Sequence, residues 1–267
     1  MKGSGSFQFI GISVQLGREI RSLFDAYAIP FLSHENEVCR QHIRLKYEHI
    51  LHVCDEIQLL GRSFNMDPEE LAFALSIALV HDIGRFEQFV KYGTYADAES
   101  ESHALISVRI MDEIGISEKL APEQIEVIRQ SVLNHSKPAI PESATGQIRF
   151  YSGLLRDADK LDIWRVSFEY NIFHKLRNGE FPEKYQVPKE LLECFSEGRI
   201  IRLGQVKSFY DSILFRLSWV YDLNFNLTLK EFNKRNISAS LLDKLPDSPD
   251  LRVIQEHVDS YLLQRLN

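Results

Sequence analysis

Residues 71–80, LAFALSIALV, carry no charged side chain, and they constrain the fold more than any other segment. Asp67, Pro68 and Glu70 precede them with the spacing of a helix N-cap, a first helical position and a capping-box glutamate. A helix that is apolar on every side is buried all round. His81 and Asp82 follow directly, and a buried carboxylate needs a compensating partner because isolated buried charge is very costly. The sequence therefore predicts a central buried helix that ends in a polar site.

Helical spacing of apolar residues extends over most of the chain and favours the all-α fold class. Between residues 35 and 60 apolar side chains recur every three or four positions, and Gly61 is expected to end this helix. A loop is predicted at 93–102, and further helices are predicted at 103–114, 122–133, 147–176, 189–197, 206–221, 229–236 and 250–266. No segment alternates strongly enough to predict a strand.

Three regions are expected along the chain. Residues 1–35 are predicted to form a helical extension, residues 36–180 the core, and residues 181–267 a C-terminal helical region packed on that core. No convincing linker separates them. The C-terminal helices are further expected to cover the site or to form the contact of a homodimer.

Composition and charge exclude several classes of protein. The formal net charge is -7 and no block of basic residues stands out, so general nucleic-acid binding is not expected. An acidic chain can still bind a phosphate ester when metal ions and a few local cations supply positive charge. The 3 cysteines form no CxxC pair, which fits a reducing compartment. No window approaches the roughly 20 apolar residues of a membrane span, so a cytoplasmic protein without membrane association is expected.

Side chains that can bind a transition metal are spread along the chain. They are His49, His81, Asp82, His103, His135 and Asp159. Imidazoles and carboxylates together form a mixed nitrogen and oxygen set, which suits iron, manganese, cobalt, nickel or zinc better than calcium. A lone helical histidine is more often structural than a metal ligand, so residue type alone does not separate His49 from His42 or His52.

The order and local context of these residues resemble a known family. His49, then His81-Asp82, then Asp159 resemble the H…HD…D signature of the HD superfamily, and the segments HILHV, ALVHDIGRF and RDADKLDI resemble its motifs. The resemblance covers about residues 46–164, and its motif context selects His49 among the histidines of its helix. It implies an all-helical HD-domain core with additional C-terminal helices and a metal-dependent phosphohydrolase.

The resemblance also implies a role for each candidate ligand. One metal ion would be bound by His49, His81, Asp82 and Asp159. Asp82 would bridge to a second ion, held mainly by His103 and His135. Two such ions can activate a shared water that attacks phosphorus, which makes Asp82 a catalytic residue as well as a ligand.

Residues beside the ligand set are expected to contact the substrate. Arg85 follows the HDIG segment directly, and a guanidinium suits bidentate binding of a phosphate and a part in catalysis, although Arg85 could instead be a structural ion-pair partner. Gln88, one helical turn beyond, and Lys160 are further candidates for substrate binding. Asp157 is expected to be a helix-surface acid or a salt-bridge partner, although Asp157 and Asp162 could also orient histidines as hydrogen-bond acceptors.

The expected reaction is hydrolysis of a phosphate ester or anhydride, and the expected partner is a nucleotide or another small phosphorylated metabolite. Two alternatives remain open at this point. A few HD proteins hold a di-iron pair that activates oxygen, and the ligand set would permit such an oxygenase. A non-catalytic nucleotide-binding regulator could keep the same fold, but an intact ligand set argues against it.

Overall fold

The computed structural model describes residues 9–169 and 184–267. The α-helices among these residues are α1 (Val14–Ala28), α2 (Glu37–Ser63), α3 (Pro68–His81), α4 (Gly84–Tyr92), α5 (His103–Glu113), α6 (Pro122–His135), α7 (Gly146–Glu169), α8 (Lys189–Ser196), α9 (Phe209–Ser218), α10 (Asn226–Lys234), α11 (Ile237–Leu242) and α12 (Pro249–Leu266). Neither described range contains a strand, and the predicted all-α fold class is confirmed.

The chain divides into two compact units, Met1–Asp159 and Lys160–Asn267, and the division falls inside α7. The predicted limit of the core at residue 180 lies outside the described residues. The helix predicted at 147–176 is observed as far as Glu169, and the remainder of that prediction also lies outside them. Within the part of the chain that the structure describes, each helix is too short or too polar to cross a membrane.

The central helix of the first unit is α3. It packs against α1, α2, α5 and α6, and Phe73 and Val80 are at most 1% exposed. The Asp67 side chain accepts a hydrogen bond from the backbone N–H of Glu70 at 2.9 Å, and the Glu70 carboxylate accepts one from the backbone N–H of Asp67 at 2.8 Å. The predicted capping box and buried helix are therefore confirmed, and α3 ends at His81 inside the unit.

The helix α2 is longer than its sequence pattern predicts. It continues through Gly61 to Ser63, and a left-handed residue, Asn65 with φ 56°, follows two positions later. Gly61 is buried where α2 meets the beginning of α3, and a Cβ there would lie 2.9 Å from Cδ1 of Leu71. The predicted helix end at Gly61 is wrong because this glycine permits close packing and does not cap the helix.

The second unit contains the end of α7 and the helices α8 to α12. Trp164 is buried, donates its Nε1–H to the carbonyl oxygen of Arg216 at 3.0 Å, and packs against Phe232 with ring centroids 4.9 Å apart. The predicted C-terminal helices are observed as α8, α9, α10 and α12. The short helix α11 was not predicted, and it begins after the left-handed residue Asn236, with φ 50°.

Gly84 begins α4 and allows this helix to lie directly against α5. Its backbone N–H donates to Oγ of Ser107 at 3.0 Å. A Cβ at Gly84 would lie 2.6 Å from the carbonyl oxygen of His103 and 2.7 Å from the backbone nitrogen of Ser107. Gly84 has no positive φ, so close approach, and not backbone conformation, requires a glycine here.

The substitution Gly84→Ala is expected to lower the free energy of unfolding by about 1–3 kcal/mol, because the added methyl group overpacks against backbone atoms of α5. Urea unfolding measures this change. Gly204→Ala is the matched control, since a Cβ at Gly204 would have no atom of the described residues within 4 Å. Equal effects of the two substitutions would contradict the close-packing role of Gly84.

Candidate metal centre

His81 is the last residue of α3 and is fully buried. Its Nδ1 lies 2.6 Å from the carbonyl oxygen of Ala78, and only a protonated Nδ1 can donate this hydrogen bond. The lone pair of the neutral ring is therefore on Nε2, which is buried and makes no hydrogen bond among the described residues. A buried imidazole nitrogen in this state is suited to bind a metal ion.

His103 and His135 present the same ring nitrogen to each other. His103, at the beginning of α5, donates from Nδ1 to the Asp97 carboxylate at 2.7 Å. His135, at the end of α6, donates from Nδ1 to the carbonyl oxygen of Val132 at 2.5 Å. The two Nε2 atoms, which carry the lone pairs in these tautomers, lie 3.0 Å apart. Two lone pairs at this distance repel each other, and a cation that accepts both removes the repulsion.

The residue after α3, Asp82, lies among the histidines, and its side chain is 4% exposed. Its carboxylate oxygens lie 3.5 Å from Nε2 of His103, 3.7 Å from Nε2 of His49 and of His135, and 3.9 Å from Nε2 of His81. These separations exceed ordinary hydrogen-bond lengths. The groups therefore surround a common space, and a carboxylate so placed is suited to bind a divalent metal ion.

His49 and Asp159 also lie close to His81. His49 comes from α2 and Asp159 from α7, and Nε2 of the histidine lies 3.1 Å from Oδ1 of the aspartate. Among the described residues, ligand atoms lie within 4.8 Å of one another in two sets, His49 with His81 and Asp159, and His81 with Asp82 and His135. All the residues predicted as ligands are thus brought together, and their buried nitrogen and oxygen atoms fit a divalent transition metal.

Two cationic side chains offset the charge of Asp82. Nζ of Lys46 lies 3.0 Å from Oδ2, and Nε of Arg85 lies 3.2 Å from Oδ1. Burial alone would raise the pKa of Asp82, but these cations outweigh it and hold the pKa well below its usual range. Burial would likewise raise the pKa of Asp159, but the hydrogen bond with His49 outweighs it and the pKa is lowered. Both carboxylates are ionised at neutral pH, as metal binding requires.

Burial keeps His81 and His103 neutral. It lowers the pKa of His81 to about 4. Burial also lowers the pKa of His103, although the neighbouring Asp97 partly opposes this effect. Neutral imidazoles can bind a metal ion at neutral pH without first losing a proton.

The metal-free protein is expected to lose stability as the pH falls from about 6.5 to about 4. The unfolded chain protonates His81 near pH 6.5 and the folded chain near pH 4. Between these values the unfolded state binds more protons, so stability falls as the pH falls. The slope from this group is at most about 1.4 kcal/mol per pH unit. Urea unfolding of chelator-treated protein across this window measures it, and a constant free energy of unfolding would contradict the burial argument.

Arg85 is held by the segment that follows α4. Its Nη1 donates to the carbonyl oxygen of Tyr95 at 2.7 Å and to Oε1 of Gln88 at 2.9 Å. Gln88 is fully buried, and its Nε2 donates to Asp97 at 2.9 Å and to the carbonyl oxygen of Glu101 at 2.8 Å. These bonds engage both N–H groups of Gln88. They also hold Arg85, which lies beside Asp82. The substrate contacts of Gln88 and Arg85 stay predictions.

Asp157, Lys160 and Asp162 lie close to Asp159 along the chain. One prediction about them is wrong, and the others are untested. Asp157 is 0% exposed, so the predicted surface position is wrong. Lys160 belongs to the second unit, where its Nζ lies 2.8 Å from the carboxylate of Asp222, and its substrate contact stays a prediction. Asp162 is also buried and accepts a hydrogen bond from Arg165 at 2.7 Å. That Asp157 or Asp162 orients a histidine stays a prediction.

Lys46 and Asp97 belong to the site, although sequence patterns did not indicate them. Lys46 precedes His49 by three positions on α2, so helical spacing could have placed the two side chains on one face. Asp97 lies in the segment predicted as a loop, where no periodicity applies. Burial would raise the pKa of Asp97, but the hydrogen bond with His103 outweighs it and lowers the pKa to about 2.

Comparison with known protein families identifies the HD domain. Residues 47–164 match its family model, and this range contains all six candidate metal ligands, His49, His81, Asp82, His103, His135 and Asp159. No curated protein and no solved structure matches the chain. The matched range agrees with the residues whose motifs resemble this family, and it covers the end of α3 that carries His81 and Asp82. The chain therefore contains an HD domain.

Proposed function

We propose that the protein is a metal-dependent phosphohydrolase that acts on a nucleotide or another small phosphorylated metabolite. The observation that carries the proposal is the convergence of imidazole Nε2 atoms on Asp82. In His81, His103 and His135 the Nδ1 atom is hydrogen-bonded elsewhere, so the lone pair of each ring is directed to the shared space. The HD domain at residues 47–164 supports a metal-dependent hydrolase.

The ligand atoms suit two metal ions. One would be held by His49, His81 and Asp159, and the other by His103 and His135, with Asp82 shared between them. Asp82 suits the shared position because its carboxylate lies within 3.9 Å of an Nε2 atom of every one of these histidines. Divalent ions bound here supply an activated water at neutral pH and neutralise charge on the phosphoryl oxygens.

The protein itself contributes position and charge. Hydrogen bonds to Nδ1 hold the rings of His81, His103 and His135 before any substrate arrives, so little reorganisation is needed during the reaction. Lys46 and Arg85 flank Asp82 and supply positive charge to an anionic phosphoryl group. Their side chains are only 20% and 15% exposed, and partial burial strengthens such interactions.

Elemental analysis of the purified protein, paired with phosphate release from a panel of nucleotides and other small phosphate esters, tests the proposal. About two equivalents of transition metal with phosphate release is the expected result. One equivalent of metal with phosphate release would support the reaction but contradict a second metal ion. Metal without phosphate release from any member of the panel would overturn the phosphohydrolase. Iron with oxygen consumption would then favour a di-iron oxygenase, and tight nucleotide binding without turnover would favour a regulator.

A further inference from the structure

Asp97 connects a proposed metal ligand with a proposed substrate-binding cation. Its carboxylate accepts hydrogen bonds from Nδ1 of His103 at 2.7 Å and from the backbone N–H of the same residue at 3.3 Å. Its Oδ1 also accepts from Nε2 of Gln88 at 2.9 Å and from Nη1 of Arg85 at 3.4 Å. One carboxylate therefore contacts His103, Gln88 and Arg85.

The segment that carries Asp97 is tied to the rest of the first unit on both sides of this residue. The hydroxyl of Tyr95 donates to the carbonyl oxygen of His42 on α2 at 2.9 Å. Oγ of Ser100 accepts from Nε2 of Gln88 on α4 at 2.9 Å. These bonds fix the position of Asp97 between α4 and the beginning of α5.

We propose that Asp97 is a positioning residue for the metal centre. It holds His103 as the Nδ1–H tautomer, which leaves the Nε2 lone pair for a metal ion, and it holds Arg85 beside Asp82 together with Gln88. The effect on catalysis rests on the proposed phosphohydrolase, whereas the effect on the tautomer does not. A metal-binding histidine commonly donates its other N–H to a carboxylate, and removal of that partner typically costs about 10–100-fold in metal affinity.

The test uses Asp97→Asn, which keeps the shape of the side chain and removes its charge. Titration calorimetry with Mn²⁺ on the chelator-treated full chain measures metal affinity, and ¹⁵N NMR of the metal-free protein identifies the His103 tautomer. We expect the Mn²⁺ affinity to fall by about 10–100-fold. We also expect the Nδ1–H form of His103, dominant in the unsubstituted protein, to give way to a mixture of the two tautomers.

Asp112→Asn is the matched control. It removes a carboxylate from α5, the helix that begins with His103, where Asp112 accepts a hydrogen bond from Arg129 at 2.7 Å, and it is expected to leave both measurements unchanged. Unchanged Mn²⁺ affinity and tautomer in folded Asp97→Asn overturn the positioning role and leave the phosphohydrolase standing. If the unsubstituted protein releases no phosphate, the phosphohydrolase is overturned and the positioning role of Asp97 is left standing. If Asp97→Asn does not fold, the unsubstituted protein decides, since an Nε2–H tautomer at His103 overturns the proposal.

Discussion

The substitution Asp82→Asn is expected to remove bound metal and to lower phosphate release by about a thousandfold or more. Metal ions supply several kcal/mol of transition-state stabilisation, and each ~1.4 kcal/mol changes the rate tenfold. The carboxylate of Asp82 lies within 3.9 Å of the imidazoles of His49, His81, His103 and His135, so its loss removes a ligand common to the whole cluster. Elemental analysis and phosphate release from the best substrate of the panel measure the two effects.

Asp55→Asn provides the matched control for this experiment. Asp55 is an exposed residue of α2, so the same change of charge is made away from the site. Asp82→Asn also leaves Lys46 and Arg85 without their shared carboxylate. Circular dichroism must therefore show that the variant is folded before its metal content is interpreted. Full metal content and normal turnover in the folded variant would mean that the active site lies in another part of the chain.

The residues of the candidate site could be predicted from sequence where each is part of a local pattern. His81 and Asp82 stand at the end of an uncharged segment, and burial of that helix determines where they lie. The His81 tautomer is also local, because the bond runs to the carbonyl oxygen of Ala78 in the preceding turn. His103 and His135 were proposed from family context, and only the fold shows that their Nε2 atoms meet.

What sequence patterns missed depends on contacts between distant segments. The environment of Asp97 is formed by residues of α4 and α5, and nothing in the composition of a polar loop distinguishes this carboxylate from its neighbours. Gly84 stands in a motif, but the reason for its small side chain is the approach of His103 and Ser107. Asp157 has the polarity of a surface residue and is nevertheless buried. In each case the missing information is which atoms of other helices surround the position.

The position of the candidate ligand His135 also depends on Arg156, a buried cation that supports the end of α6. Arg156 is 4% exposed, and its guanidinium donates to backbone carbonyl oxygens at the end of α6 and just beyond it. The acceptors are Asn134 at 3.0 Å, His135 at 3.1 Å, Lys137 at 2.5 Å and Pro138 at 3.2 Å. These bonds satisfy carbonyl groups that have no partner within the helix. They also fix the backbone of His135, whose imidazole is a candidate metal ligand.

The substitution Arg156→Met, which keeps an unbranched side chain, is expected to lower the free energy of unfolding by about 3–5 kcal/mol. The buried carbonyl oxygen of Asn134 costs about 1–3 kcal/mol when it is left unsatisfied, and the three partly buried acceptors add smaller losses because water reaches them. Because the end of α6 loses its anchor, we also expect the metal content to fall from about two equivalents to about one. Urea unfolding and elemental analysis measure the two quantities.

Arg149→Met is the control, because Arg149 lies on the same helix and donates to the carbonyl oxygens of Ala144, Pro141 and Glu142, but is exposed. Water can replace its bonds, so the expected change in the free energy of unfolding is within about 0.5 kcal/mol. Equal losses in the two variants would mean that the number of carbonyl contacts, and not their burial, determines the effect. Loss of stability in Arg156→Met with full metal content would show that His135 keeps its position without this support.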